Sequence, residues 1–95
     1  MDAETIFLFD SFHPFFASKY CLTDCELSFI YNSFLYSSET VDFVCKRLSL
    51  GRTRFYSIFA SVKSKLRLPE NSGLTDVCIF YISEFILFLV SRVFP

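Results

Sequence analysis

The chain has 95 residues, room for one small domain spanning 1–95 and no second. Hydrophobic residues make up 53% and charged residues 20%, with 14 Phe, 2 Gly and 3 Pro, which excludes a disordered tail, a collagen-like chain and a low-complexity segment. The net charge of −1 hides a polarity along the chain: positions 1–42 carry seven acids and one base, positions 43–67 carry seven bases and no acid, and positions 68–95 carry three acids and Arg92. A basic block beside an acidic one either folds back on it or faces an anionic partner, and mutual neutralisation within the fold is the simpler expectation.

The first segment, 2–13, places Leu8, Phe9 and Phe12 at roughly helical spacing, with Asp2 as its cap and Ile6 and Phe7 beside the stripe. Its alternation also reads as a short strand. His13-Pro14 should break it, because the residue before proline is driven out of the helical region. Residues 23–36 carry a firmer signature. Thr23 and Glu26 fit a capping box, in which each satisfies a free backbone N–H of the other. Leu27, Ile30, Tyr31, Phe34 and Leu35 then recur on one helical face.

Ser38 is the expected cap of a helix over 39–50 with Val41, Val44, Cys45 and Leu48 on its inner face. Asp42 stands four before Lys46, the favourable order for an ion pair along a helix. Gly51 is the expected left-handed terminator. Thr53 then caps 53–68, whose stripe is Phe55, Ile58, Phe59, Val62 and Leu66. Pro69-Glu70-Asn71-Ser72-Gly73 is the strongest turn signal in the chain. Thr75 caps the last segment, 76–94. The sum is an all-α chain, a small bundle of four to five helices with a strongly apolar C-terminal helix, although 77–82 and 85–90 also carry strand propensity.

That last segment has two readings. As a membrane segment it offers Val77, Ile79, Phe80, Ile82, Phe85, Ile86, Leu87, Phe88, Leu89 and Val90 to lipid. Its length from position 77 to 94 is about 27 Å at 1.5 Å per residue, against a hydrocarbon core of about 30 Å. Its aliphatic and Phe residues outweigh the cost of Glu84 only narrowly. Asp76, Ser83, Glu84 and Ser91 share an arc of about 100°, which suits either a solvated edge or polar pairing between membrane helices. With Lys63, Lys65 and Arg67 upstream, the positive-inside rule leaves the N-terminal portion cytosolic, as in a tail-anchored arrangement. In the other reading 76–94 is the core helix of a soluble cytoplasmic bundle, a protein–protein interaction module that forms homo-oligomers or binds another protein.

The helix before it is basic. Arg52, Lys63 and Arg67 flank its apolar face on one side, and Arg54 and Lys65 flank it on the other. Such a helix suits an anionic membrane surface or an acidic partner groove; the plainer reading packs it on the core with its cations in water. Nucleic acid is not an expected partner, because the chain is not basic overall and carries no reading motif.

Little here supports catalysis. His13 stands beside Pro14 with no nucleophile next to it, Asp24 and Glu26 are explained as first-turn acids, and no P-loop, dinucleotide or metalloprotease motif occurs. Cys21, Cys25, Cys45 and Cys78 lack the spacing of a zinc site. With an acidic start in place of a secretory signal, they are expected as reduced thiols. The expectation is a non-enzymatic helical protein with no cofactor and no metal, attached to a lipid membrane by its C-terminal segment.

Overall fold

A computed structural model describes residues 3–93, and side chains from 8 to 92. Asp2, read as the first cap, and the last position of the expected 76–94 helix lie outside that range. Five helices follow in order: α1 (Ala3–Tyr20), α2 (Asp24–Leu35), α3 (Val41–Arg47), α4 (Arg52–Lys65) and α5 (Leu74–Val93). No strand occurs among the described residues. The all-α expectation holds, and the strand propensity of 77–90 is overridden by packing along a 20-residue helix.

Pro14 does not end α1; it sits inside it. Proline in a helix interior costs about 3 kcal/mol, through a lost hydrogen bond and a clash with the carbonyl four residues back. Phe9, Phe12 and Phe16 repeat at helical spacing on the other side of α1 and are buried, while Pro14 and Asp10 are exposed. Each buried Phe contributes about 1.5–3 kcal/mol, so three of them outweigh the proline. The freed Asp10 carbonyl belongs to a residue in contact with water.

The capping box of α2 forms as expected: Thr23 Oγ1 accepts from the Glu26 N–H at 3.1 Å, and Glu26 Oε1 accepts from the Thr23 N–H at 2.9 Å. Downstream the caps shift. Thr40, not Ser38, starts α3 by accepting from the Phe43 N–H at 3.2 Å. Gly51, not Thr53, occupies the N-cap of α4 and takes an ordinary extended backbone with φ −78°. At α5, Asp76 closes the start in place of Thr75, its carboxylate accepting from the Gly73 N–H at 2.8 Å. The expected turn at 69–73 is present, with the Ser72 N–H donating to the Pro69 carbonyl at 3.0 Å.

Three helices end in one way, and glycine has no part in it. Cys21, Ser49 and Arg67 take left-handed backbones with φ of 56°, 56° and 60°. The next residue is Leu each time, and its N–H reaches five residues back: Leu22 to Ala17, Leu50 to Cys45 and Leu68 to Lys63, at 2.9, 2.8 and 2.9 Å. These are Schellman ends, in which the leucine also folds back onto the apolar surface. Leu22, Leu50 and Leu68 all pack against the core.

α2 lies between α4 on one flank and α1 with α5 on the other. Its burial is therefore two-sided, and the single stripe read from the sequence is only partly right. Phe29 is fully buried against Phe55 and Phe59 of α4, whereas Phe34 meets Phe9 of α1 and Tyr81 of α5, and Leu35 is exposed. The α1/α2/α5 side of the core is a stack of rings: Phe9, Phe12, Phe16, Tyr81, Phe85 and Phe88 lie with centroids 4.4–6.0 Å apart in their contacting pairs.

Candidate functional site

α5 carries every residue of the expected membrane segment. Its inner face, Val77, Tyr81, Glu84 and Phe88, is buried against α1 and α2. Its outer face holds Ile79, Ile86, Leu87 and Val90, which remain 59%, 53%, 62% and 47% exposed. At 100° per residue these four, with Ser83 among them, cover an arc of about 100° opposite the inner face. Phe80, Ile82, Phe85 and Leu89 are half-buried along the flanks. The membrane-segment residues are thus divided: two point into the core, four face outward and four lie between. Leu74–Arg92 is long and apolar enough to cross a bilayer by length and composition.

The polar residues of α5 are divided as well. Asp76 and Ser83 lie at the exposed edge, but Glu84 is only 9% exposed. Its carboxylate accepts from the Tyr20 hydroxyl at 2.5 Å and from the Lys19 ammonium at 3.0 Å, tying α5 to the end of α1. Three positions earlier on α5, the fully buried Tyr81 hydroxyl shares a 2.6 Å hydrogen bond with His13 Nε2. Burial lowers the His13 pKa from its ordinary value, against the opposing field of Asp10, and burial raises that of Tyr81. Both groups are neutral at pH 7, which is the pairing a ring-lined core accepts. The histidine is thereby tied to α5 through Tyr81.

The basic helix meets a different fate. Its apolar face, Phe55, Ile58, Phe59, Val62 and Leu66, is buried in the core, so the surface that an interfacial helix would sink into lipid is covered. Arg52 pairs with Asp42 at 2.8 Å, a partner outside its own helix, so the expected Asp42–Lys46 pair along α3 is replaced by one between α3 and α4. Lys63 donates to the carbonyls of Glu70 and Ser72 at 2.7 and 3.3 Å and stands over the Phe59 ring. Lys65 donates to Glu26 at 2.6 Å, and Ser61 donates to the other oxygen of that carboxylate, also at 2.6 Å. Burial alone pushes the Glu26 carboxyl up, but the hydrogen bonds from Lys65, Ser61 and Thr23 prevail and hold it at about 2. Arg54 and Arg67 make no ion pair among the described residues. The basic block is therefore partly neutralised by the acidic one, and the rest faces water.

The cysteines are free thiols: Cys21 and Cys25 exposed, Cys45 buried among apolar residues, Cys78 half-buried on α5. No cluster of three His, Cys, Asp or Glu occurs among the described residues. A groove that the sequence did not foretell opens between the end of α2, α3 and the first half of α5, with a volume of about 380 Å3. No family model, no curated protein and no solved structure matches this chain.

Proposed function

We propose that the protein is a non-enzymatic helical module that attaches to a membrane through α5, its inner face kept in the bundle and its outer face laid in the lipid interface. The observation that carries this reading is the row Ile79, Ile86, Leu87 and Val90, about half exposed on the most apolar helix of the chain. Moving the exposed halves of four such side chains out of water yields roughly 3–6 kcal/mol. That is the scale of a single myristoyl chain, which binds reversibly. Crossing the bilayer is harder: α5 would have to leave Tyr20, Lys19 and His13 and uncover the rings of α1.

The test is flotation of the full chain with phosphatidylcholine vesicles, with and without anionic lipid, followed by high-salt and alkaline carbonate washes. The expected protein floats, resists salt and is released by carbonate. Ile86→Asp with Leu87→Asp, both at exposed positions, should abolish flotation while leaving helicity intact. If the wild type never floats, attachment is wrong. The second reading then applies, favoured by the burial of Val77, Tyr81, Glu84 and Phe88: a soluble interaction module, with 76–94 as its core helix and a protein partner or a second copy on the outer face.

A further inference from the structure

The exposed positions of α5 carry a second pattern. Asp76, Ile79, Ser83, Ile86 and Val90 all face outward and follow one another at intervals of three, four, three and four residues. That is the seam by which one helix packs along another, with Ser83 and Val90 at one kind of position and Ile79 and Ile86 at the other. Two hollows flank the first half of this ridge, one of about 380 Å3 beside Ile82 and Val41, the other of about 440 Å3 beside Phe80 and Leu68. Ile79 and Ser83 border both. The second half of the ridge carries Ile86 and Val90, with Leu87, the most exposed of these apolar side chains, at its flank.

We propose that a second copy of this chain covers the outer face of α5, its own α5 running antiparallel to the first about a twofold axis level with the midpoint of Ser83 and Ile86. In that register Ser83 lies opposite the partner's Ile86, and Ile79 lies opposite the partner's Val90. Each layer thus sets a smaller side chain against a larger one. The ridged half of each helix lies over the hollowed half of the other, which brings the partner's Leu87 to the hollow at Phe80 and the partner's Leu89 to the hollow at Ile82. A parallel pair would set Ser83 on Ser83 and hollow on hollow, leaving voids that a packed interface does not tolerate. Between Asp76 and Arg92 the one charged residue is Glu84, turned inward to Tyr20 and Lys19, so a second copy brings no like charge to the seam. Area also bears on the occupant. From Ile79 to Val90 the seam is only about 16 Å long, and such a ridge alone falls short of the roughly 800 Å2 per partner of a standard interface. A twofold copy makes every contact twice and fills the hollows from its own ridge. The pairing rests on the exposure of this face and not on membrane attachment; it is the form in water, and lipid competes for the same side chains.

Sedimentation equilibrium of the full chain over a hundredfold range of concentration, in reducing buffer without lipid, tests the pairing. A monomer–dimer equilibrium in the micromolar range is expected. Ile86→Asp with Leu87→Asp should weaken it at least tenfold with helicity unchanged. Orientation is read by disulfide trapping in a chain carrying Cys21→Ser, Cys25→Ser and Cys78→Ala. When Ser83→Cys and Ile86→Cys versions are mixed under mild oxidation, the mixed cross-link, identified by intact mass, should outrun both self-links severalfold. The proposal is overturned by a chain that stays monomeric throughout, by a dimer that survives the double Asp variant, or by self-links of Ser83→Cys that outrun the mixed product. Flotation separates this outcome from the attachment reading: a protein that dimerises but never floats refutes attachment alone, and one that floats but never dimerises refutes the pairing alone.

Discussion

The Lys65 ammonium donates to Oε1 of Glu26 at 2.6 Å and to the Cys21 carbonyl at 3.0 Å, so one cation of the basic block both pairs the buried carboxylate of α2 and closes the end of α1. Glu26 is thereby held at about 2, against an ordinary 4.5. A carboxyl depressed in the folded state contributes stability that is complete above about pH 4.5 and is lost as pH falls towards 2. His13, lowered by burial, acts in the same direction from an earlier point: its contribution is complete above about 6.5 and declines below it. Urea midpoints should therefore fall in two stages on acidification. Glu26→Gln should remove the lower stage and cost roughly 1–3 kcal/mol at pH 7, since a buried bonded acceptor is changed while Lys65 loses its partner. A single flat profile from pH 7 to 3 would contradict this account.

The three left-handed helix ends give a prediction of opposite sign. Cys21, Ser49 and Arg67 each carry a Cβ at φ near 60°, where a non-glycine residue is strained by roughly 1–2 kcal/mol. Replacing each with Gly relieves that strain but loosens the unfolded chain, leaving a net gain of a few tenths to 1 kcal/mol. Arg67→Gly and Ser49→Gly should each raise the thermal midpoint. Ser49→Val should lower it, because a β-branched residue tolerates this backbone worst. The two Gly variants should add, since the sites end different helices.

What the sequence disclosed was local. Thr23 and Glu26 lie within one turn of each other, and their reciprocal bonds need nothing from the rest of the chain. The inner faces of α3 and α4 were legible for the same reason, as Val44, Cys45, Phe55 and Val62 recur at a helical period. Cap positions blurred by two residues because Ser38 and Thr40 are chemically equivalent candidates, and tertiary packing chose between them. Gly51 was read as a terminator because glycine enters the left-handed region freely, yet Ser49 takes that role where Leu50 can reach the core. Pro14 misled because its cost is local and its compensation is not: Phe9, Phe12 and Phe16 are buried against Tyr81, Phe85 and Phe88, which come from α5. The groove at Ser33 had no sequence signal, since it exists only where three helices diverge.

Pro14 supplies a direct check on that balance. It sits on the exposed side of α1 and contributes no core contact, so Pro14→Ala restores the bond to the Asp10 carbonyl and removes the ring clash. The proline also restricts the unfolded chain, which offsets part of the gain. A net stabilisation of about 1–2 kcal/mol is expected, read as an increased urea midpoint with unchanged slope. A loss of stability would mean that α1 depends on the proline, contrary to the packing argument.

On the proposed attachment of α5 to a membrane, Glu84 opposes insertion. In the bundle its carboxylate is satisfied by Tyr20 and Lys19, and the tie is lost if the helix leaves. In mid-bilayer the same side chain costs about 2.5–3.5 kcal/mol, enough to cancel most of the gain from the aliphatic residues. It therefore opposes insertion twice, by anchoring the bound form and by penalising the inserted one. Glu84→Leu removes both terms together. The variant should fold less stably in water, since the Tyr20 hydroxyl and Lys19 lose their acceptor, and it should become carbonate-resistant in the flotation assay where the wild type is washed free. Glu84→Gln should behave between the two. A Glu84→Leu protein that carbonate still releases would show that α5 stays in the bundle for the sake of its ring contacts, with Tyr81 and Phe88 as the dominant anchors.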